Sequence, residues 1–392
     1  MGKAVYVETE PSVIKYYVDK SEFDVMEFTK EKDLKNLNYW LDGSKNPTFN
    51  QLMKLSKKLQ VPLGYLVVKK PVDDTPQILN YRTIDSKDMD HISRNLIETI
   101  KIVKNQQEFL LDYRKDNGFM PLDYVAKYTI DDDWNIIVQY ARKILGIGEE
   151  WQKDLGRLYP LKYFKKKLND IGVVIQSNGI VRQNTHRKLD ISEFRAFVSI
   201  DEYAPFVFIN TNDTKNGQLF SLLHEFGHIL LGESEVYNVD LTMNTDVNQL
   251  ERICNKIASE LLIPNIIFVE SWNIPSDVEL YEYVTDLAKK FKVSKTVIAR
   301  KALDNKLIKI EDYNFIAKRN VEEYNKYQAI AKEQDNNGID YYNTIQSKVD
   351  PILFDSVKSS YYEGNIQYIE ALNLLNIGSK GFEFLSNKND LG

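Results

Sequence analysis

Residues 210–234 read NTNDTKNGQLFSLLHEFGHILLGES, and this stretch decides the fold. Leu219, Leu222, Leu223, Phe226 and Ile229 recur at helical spacing, which predicts an amphipathic or buried helix from about Gly217 to Leu231. Asn216 and Gly217 are the expected capping residues, and Gly232 the expected stop. Within the helix stands H-E-x-x-H, as His224, Glu225 and His228. Residues four apart share a helix face, so the two imidazoles can address one metal ion. Glu225, beside them, is placed to take a proton from a water at that ion. Two ligands, an open coordination position and a general base are the requirements of metal-assisted peptide hydrolysis. The structural alternative is a pair of surface histidines on an ordinary helix.

A zinc site of this kind needs a third protein ligand. The chain holds four histidines (His91, His186, His224 and His228) and a single cysteine, Cys254, so a carboxylate is the expected donor. Residues 247–264, VNQLERICNKIASELLIP, are the best supplier. There Leu250, Ile253, Cys254, Ile257, Ala258 and Leu261 form an apolar stripe that ends at Pro264. Glu251 lies at the edge of the stripe. It can be a metal ligand or a solvated first-turn carboxylate favoured by the helix dipole, and spacing leaves both open.

The combination of HEFGHILLGES with Glu251, Cys254, Asn255, Ala258, Leu262 and Pro264 resembles the ImmA/IrrE metallopeptidases. Their HExxH helix is followed by a helix of the form E-x-x-[AC]-N-x-x-A-x-x-[LF]-L-x-P. The upstream run, residues 189–213, with Phe194-Arg195 and the strand from Pro205 to Asn210, also resembles the family. The likeness is dense from about Asp170 to Pro264. It implies Glu251 as third ligand, Zn²⁺ as the cofactor, and Glu225 as the base that moves a proton from water to the leaving amine. It also implies a substrate: members of this family cut or relieve a helix-turn-helix repressor, often one of a mobile element or stress regulon.

Composition frames these readings. A chain of 392 residues is long for one domain, and 43% hydrophobic with 28% charged residues describes a globular protein. No apolar run reaches membrane-spanning length, MGKAVYVETEPS lacks a secretory core, and one cysteine cannot form an internal disulfide. A cytoplasmic setting is therefore expected, and the family resemblance implies a bacterium, or a phage or other mobile element, as the source. Cys254 reads as a small buried hydrophobe. The net charge of −6 excludes a chain-wide nucleic-acid surface but not a local one.

Residues 1–70 read as short helices. LKNLNYWLDGSKNPTFNQLMKLSKKLQVPLGYL resembles the end of an XRE-type helix-turn-helix domain through Trp40, Gly43, Pro47-Thr48, Gln51-Leu52, Leu55, Leu59, Val61-Pro62 and Leu66. Pro47-Thr48 marks a helix start, with Leu52, Leu55 and Leu59 as its core face. The resemblance implies a recognition helix from about Lys30 to Leu41. Lys30, Lys32, Lys35, Asn36 and Asn38 are then the candidate DNA contacts, although Glu31 and Asp33 interrupt them and no arginine precedes Arg82. Such domains also pair with their own kind, so a protein partner or a homodimer is an equal expectation.

Residues 71–150 read as a helical connector without chemistry, with one helix in residues 91–118 and another in 131–147. His91 reads as a surface or capping residue. From 151 to 270 we expect the metallopeptidase domain: a helix in YPLKYFKKKLNDIG, strands in VVIQS, RAFVSI and APFVFIN, and a turn at Asp201 to Ala204 between antiparallel strands. Phe206 to Asn210 is the candidate edge strand for an extended substrate, with Phe206, Phe208 and Asn210 as substrate-binding residues. His186, Tyr203 and Tyr237 are possible oxyanion partners, left unassigned. Residues 271–392 read as helical. Ser276-x-x-Glu279 suggests a capping box, and residues 284–303 have the length of a second helix-turn-helix, for which a supporting three-helix subdomain is the preferred reading.

The expected fold is thus α+β and mostly helical. A zincin-like domain with a small mixed sheet lies between an N-terminal helix-turn-helix domain and a C-terminal helical region. The expected function is a zinc endopeptidase acting on an XRE-family repressor. The alternative is a DNA-binding regulator or antitoxin whose zinc domain senses or scaffolds.

Overall fold

The structure is a computed structural model and describes residues 5–21, 24–76, 92–233, 236–237, 249–334 and 341–389. His91 lies outside the described residues. The chain divides into two compact units, residues 1–80 with 84–101 and residues 81–83 with 102–392.

The first unit holds α1 (Pro11–Asp19), α2 (Val25–Thr29), α3 (Leu37–Leu41) and α4 (Phe49–Leu59). Its core is Val13, Ile14, Tyr17, Phe28, Leu34, Leu37, Trp40, Leu52, Leu55, Leu59 and Leu66. Leu52, Leu55 and Leu59 face inward as their spacing predicts. Thr48 caps α4 in a reciprocal pair with Gln51. The expected recognition helix from Lys30 to Leu41 is not one helix. Lys32–Leu34 is a 3₁₀ turn, and only Leu37–Leu41 is α-helical. Leu34, Leu37 and Trp40 are buried on either side of the break.

In the second unit α5 (Arg94–Asp116), whose first turns belong to the first unit, is followed by α6 (Trp134–Leu145) and α7 (Pro160–Asp170). Asp133 caps α6, as the run of aspartates suggested. Then come β1 (Val174–Asn178), β2 (Ala196–Ser199), β3 (Phe206–Asn210), α8 (Lys215–Leu231), β4 (Val236–Tyr237) and α9 (Gln249–Leu262). The sheet order is β1-β3-β2-β4. β1 is parallel to β3, and the other pairings are antiparallel. Every residue of β2 and β3 is buried, as expected of strands covered on both faces. α8 packs against β2, β3, α7 and α9.

Beyond α9 lie α10 (Asn265–Ser271), α11 (Leu280–Phe291), α12 (Lys295–Asp304) and α13 (Ile310–Gln334). The chain closes with α14 (Tyr341–Lys348), α15 (Pro351–Tyr362), α16 (Tyr368–Leu375) and α17 (Ser379–Asn389). One hydrophobic core runs from Tyr124 to Ile316 without a break at residue 150 or 270. The mostly helical α+β fold is as expected, and no described helix is long and apolar enough to cross a membrane.

Several expectations change. Phe206–Asn210 is an interior strand with β1 on one side and β2 on the other, so it has no edge to offer a substrate. Phe206 and Phe208 are core residues, and buried Asn210 donates its amide to the Phe194 carbonyl. Four consecutive apolar residues suit a two-face-covered centre strand better than an edge. The cap of α8 is Thr214, not Asn216, because its hydroxyl accepts from Gly217 N at 3.0 Å. α11 starts after Glu279 with no side-chain cap, so Ser276 forms no capping box. α11 and α12 do form a helix pair, but their basic residues are engaged: Lys295 with Glu323, Arg300 with Asp304, and buried Lys301 with Glu260. That supports the subdomain reading over a nucleic-acid surface.

Candidate metal centre

α8 is buried nearly all round, from Gln218 through Leu231. A helix with no exposed face belongs to a core, and its polar residues then need a reason. His224, Glu225 and His228 are each 0% exposed. The two histidines lie one above the other, with their Nε2 atoms 3.0 Å apart.

α9 completes the site because Gly227 lets it approach. A Cβ on Gly227 would stand 3.2 Å from Cys254 Cα and 3.3 Å from its Sγ, tighter than ordinary packing. Cys254 is fully buried at this crossing. One turn earlier on α9, Glu251 reaches both rings: its Oε2 is 3.2 Å from His224 Nε2 and its Oε1 is 3.2 Å from His228 Nε2. Among the described residues these three are the only group of histidine, cysteine and carboxylate side chains arranged to hold a metal ion.

The histidine tautomers follow from their outer neighbours. His224 Nδ1 lies 3.0 Å from Asn255 Oδ1, and His228 Nδ1 lies 2.9 Å from the Glu233 carbonyl. Both partners are acceptors, so each Nδ1 carries the hydrogen and each Nε2 turns a lone pair inward. Two lone pairs 3.0 Å apart, facing a carboxylate, repel unless a cation lies among them. Oxygen Oε2 of Glu251 is buried without a hydrogen bond, as suits a carboxylate oxygen placed to bind a cation. The donor set, two imidazoles and one carboxylate, fits Zn²⁺ with a position left open.

The electrostatics agree. Burial alone would raise the Glu251 carboxyl, but His224 and His228 outweigh it and hold the group well below the usual carboxylate range. Burial lowers His224 and keeps it neutral despite Glu251. At His228 burial is overcome, first by Cys254 and then by Glu251 and Glu225, and the ring is held above its ordinary range. The carboxylates of Glu251 and Glu225, which favour a proton there, would also favour a divalent cation.

Segments outside the motif hold the two helices in place. Ala126 N donates to Ile229 O, and Tyr128 N to Leu230 O, so the last carbonyls of α8 are satisfied by residues 126–128. Arg142 donates to the Glu260 and Leu261 carbonyls, and Trp151 Nε1 donates to Leu262 O, closing the C-terminus of α9. Buried Asp213 pairs with Arg195 at the start of α8 and lies over Gly217, where a Cβ would meet it at 2.4 Å. Residues of the expected connector therefore help to build the site.

Other candidates fall elsewhere. His186 is exposed and its backbone closes on Asn184 Oδ1. Tyr203 lies in the β2–β3 turn, where its carbonyl accepts from Arg114 and its ring carries Lys115. The side chain of Tyr237 lies outside the described residues. Lys30, Lys32, Lys35, Asn36 and Asn38 are all exposed on the first unit. Sequence reasoning missed the roles of Gly227, Asn255 and the Glu233 carbonyl. Asn255 was legible in principle, since it stands four residues after Glu251 on the same helix face.

No curated protein sequence matches the chain significantly. Residues 169–303 match a family model described as the IrrE N-terminal-like domain, Peptidase_M78. That span covers the sheet, the three candidate ligands and α11 to most of α12, beyond the Pro264 limit of the sequence likeness. The match thus places a domain similar to the IrrE N-terminal-like, Peptidase_M78 family at residues 169–303.

Proposed function

We propose that the protein is a zinc-dependent endopeptidase that cuts a helix-turn-helix repressor of the XRE type, and so relieves repression. The observation that carries the catalytic reading is the inward-facing set His224, His228 and Glu251, with both Nδ1 atoms already engaged. Zn²⁺ held there would supply Lewis acidity, making a water a stronger nucleophile and polarising the scissile carbonyl. The chain's own residues do the rest. Glu225 sits beside the ligands in a water-poor environment, where its carboxylate can accept the proton of the attacking water and return it to the leaving amine. Asn255 and the Glu233 carbonyl keep the rings aimed, so no reorganisation is needed during the reaction.

The substrate follows from the family resemblance and from the attached first unit, which resembles the repressor class it would engage. A DNA-binding regulator is the second reading, and one observation favours it. Glu31 and Asp33, which interrupt the lysine run, turn to Lys58 and Lys54 of α4. Lys30, Lys32 and Lys35 are then left as an exposed basic face.

The test compares the zinc-loaded chain with Glu225→Gln, incubated with an XRE-type repressor encoded beside it. The wild type should give two fragments, and the variant none while keeping its zinc. Cleavage by the variant, or loss of its metal, would overturn the role of Glu225. An intact repressor with salt-sensitive operator binding would favour the regulator.

A further inference from the structure

His228 lies three residues before α8 ends at Leu231. The last turn of a helix frays unless its carbonyls find partners, and a ligand there would fray with it. Here the partners come in order. Gly232 N donates to His228 O at 2.9 Å, Ala126 N to Ile229 O at 2.9 Å, and Tyr128 N to Leu230 O at 3.0 Å. Two of these three donors belong to the loop between α5 and α6. That loop is itself anchored. Leu122 N donates to Glu202 O at 2.7 Å, and Tyr124, its ring packed on Phe226 of α8, donates its hydroxyl to Ile171 O at 2.9 Å. Further along, Ile130 O accepts from Gln249 Nε2 at 3.3 Å, in the first residue of α9 and two residues before Glu251. The loop therefore touches both the end of α8 that carries His228 and the start of α9 that carries Glu251.

Two backbone conformations make this contact. Gly232 has φ +77°, and Ala126 has φ +53°, in the left-handed region that alanine rarely adopts. The turn at Gly232 sends the chain back, so that Glu233 O lies 2.9 Å from His228 Nδ1. No room is left between the two residues: a Cβ on Gly232 would stand 2.5 Å from Ala126 Cβ and 3.1 Å from its Cα. An alanine held at positive φ against a glycine is a costly arrangement for a loop that only connects two helices.

We propose that residues 122–130 form a strap whose contact with Gly232 positions His228, with Ala126 and Gly232 as positioning residues rather than ligands. The inference rests on the peptidase reading above. By closing the turn at Gly232, the strap holds Glu233 O against His228 Nδ1, and the ring's Nε2 stays turned toward His224 and Glu251.

The test compares three zinc-loaded full chains: the wild type, Gly232→Ala, and Gly232→Ala combined with Ala126→Gly. Zinc affinity is read by chelator competition. The Nδ1–H signals of His224 and His228 are read by nuclear magnetic resonance with ¹⁵N-histidine labelling, which a chain with four histidines permits. In Gly232→Ala zinc affinity should fall by about 10–100-fold, as when a group that orients a ligand is lost. The His228 proton should exchange faster with water, while that of His224, held by Asn255, is unchanged. The double variant removes the nearer of the two collisions and should regain about 10-fold in affinity. Wild-type affinity and exchange in Gly232→Ala, loss of both histidine signals together, or a double variant no better than the single one would overturn the proposal. A wild type that binds no zinc would count against the peptidase reading instead, and the two histidine signals of the metal-free chains would still decide whether the strap holds His228.

Discussion

Gly227→Ala separates the metal centre from the stability of the fold. The added Cβ would lie 3.2, 3.3 and 3.4 Å from Cys254 Cα, Sγ and Cβ. Carbon contacts are optimal near 3.5–4.0 Å, so α9 must retreat by roughly 0.3 Å or more. Alanine gains about 1 kcal/mol over glycine in a helix interior, while overpacking costs about 1–3 kcal/mol, so the variant loses between about zero and 2 kcal/mol of stability. The metal site is less tolerant, since ligand distances must hold within about 0.2 Å. Glu251 rides on α9 one turn from Cys254 and would move away from the histidines. We expect zinc affinity to fall by about 10-fold, or about 1.4 kcal/mol, with the metal-free protein melting at most about 8 °C lower. The assay is competitive titration with a zinc chelator beside thermal melting in EDTA. Wild-type zinc affinity in the variant would refute the claim that glycine sets the α8–α9 approach.

Other perturbations give distinct signatures. Asn255→Ala should weaken zinc binding by about 10–100-fold, because His224 loses the acceptor that fixes its tautomer; chelator titration reads it, and Asn255→Asp should restore part of the loss. Burial pushes Asp350 from 3.8 up to about 6 despite its donors, so the folded state holds a proton that the unfolded state releases. Its contribution is full below pH 3.8 and is lost as pH rises through 6, an effect of about 3 kcal/mol. In Asp350→Asn, denaturation measured between those pH values should lose that slope, even if the variant is less stable throughout. Thr48→Ala should destabilise the first unit by about 1 kcal/mol through loss of its cap, read as an earlier melting step, and should leave zinc content unchanged.

The candidate ligands were legible because their information is local. His224 and His228 are four residues apart on one helix, and Glu251 begins a second helix with its own apolar stripe. Strands β1 to β3 were legible as apolar β-branched and aromatic runs, and the Asp201 to Ala204 turn as their link. What could not be read was non-local. The interior place of β3 depends on β1 pairing from one side and β2 from the other, and four apolar residues in a row do not state which neighbours they have. The Gly227–Cys254 contact joins two helices whose meeting no periodicity records. Residues 126–151 carry no motif, and they reach the end of α8 through the backbone amides of Ala126 and Tyr128 and the end of α9 through the side chains of Arg142 and Trp151. The 3₁₀ turn at Lys32–Leu34 was concealed because Leu34, Leu37 and Trp40 fit a three-residue and a 3.6-residue repeat almost equally over so short a span.

Metal content of the purified full chain, measured beside Glu251→Ala, tests the central claim most directly. The account predicts about one zinc per chain in the wild type, as expected for a single three-ligand site, and its loss in the variant. Zinc retained without Glu251, or none in the wild type, would contradict it.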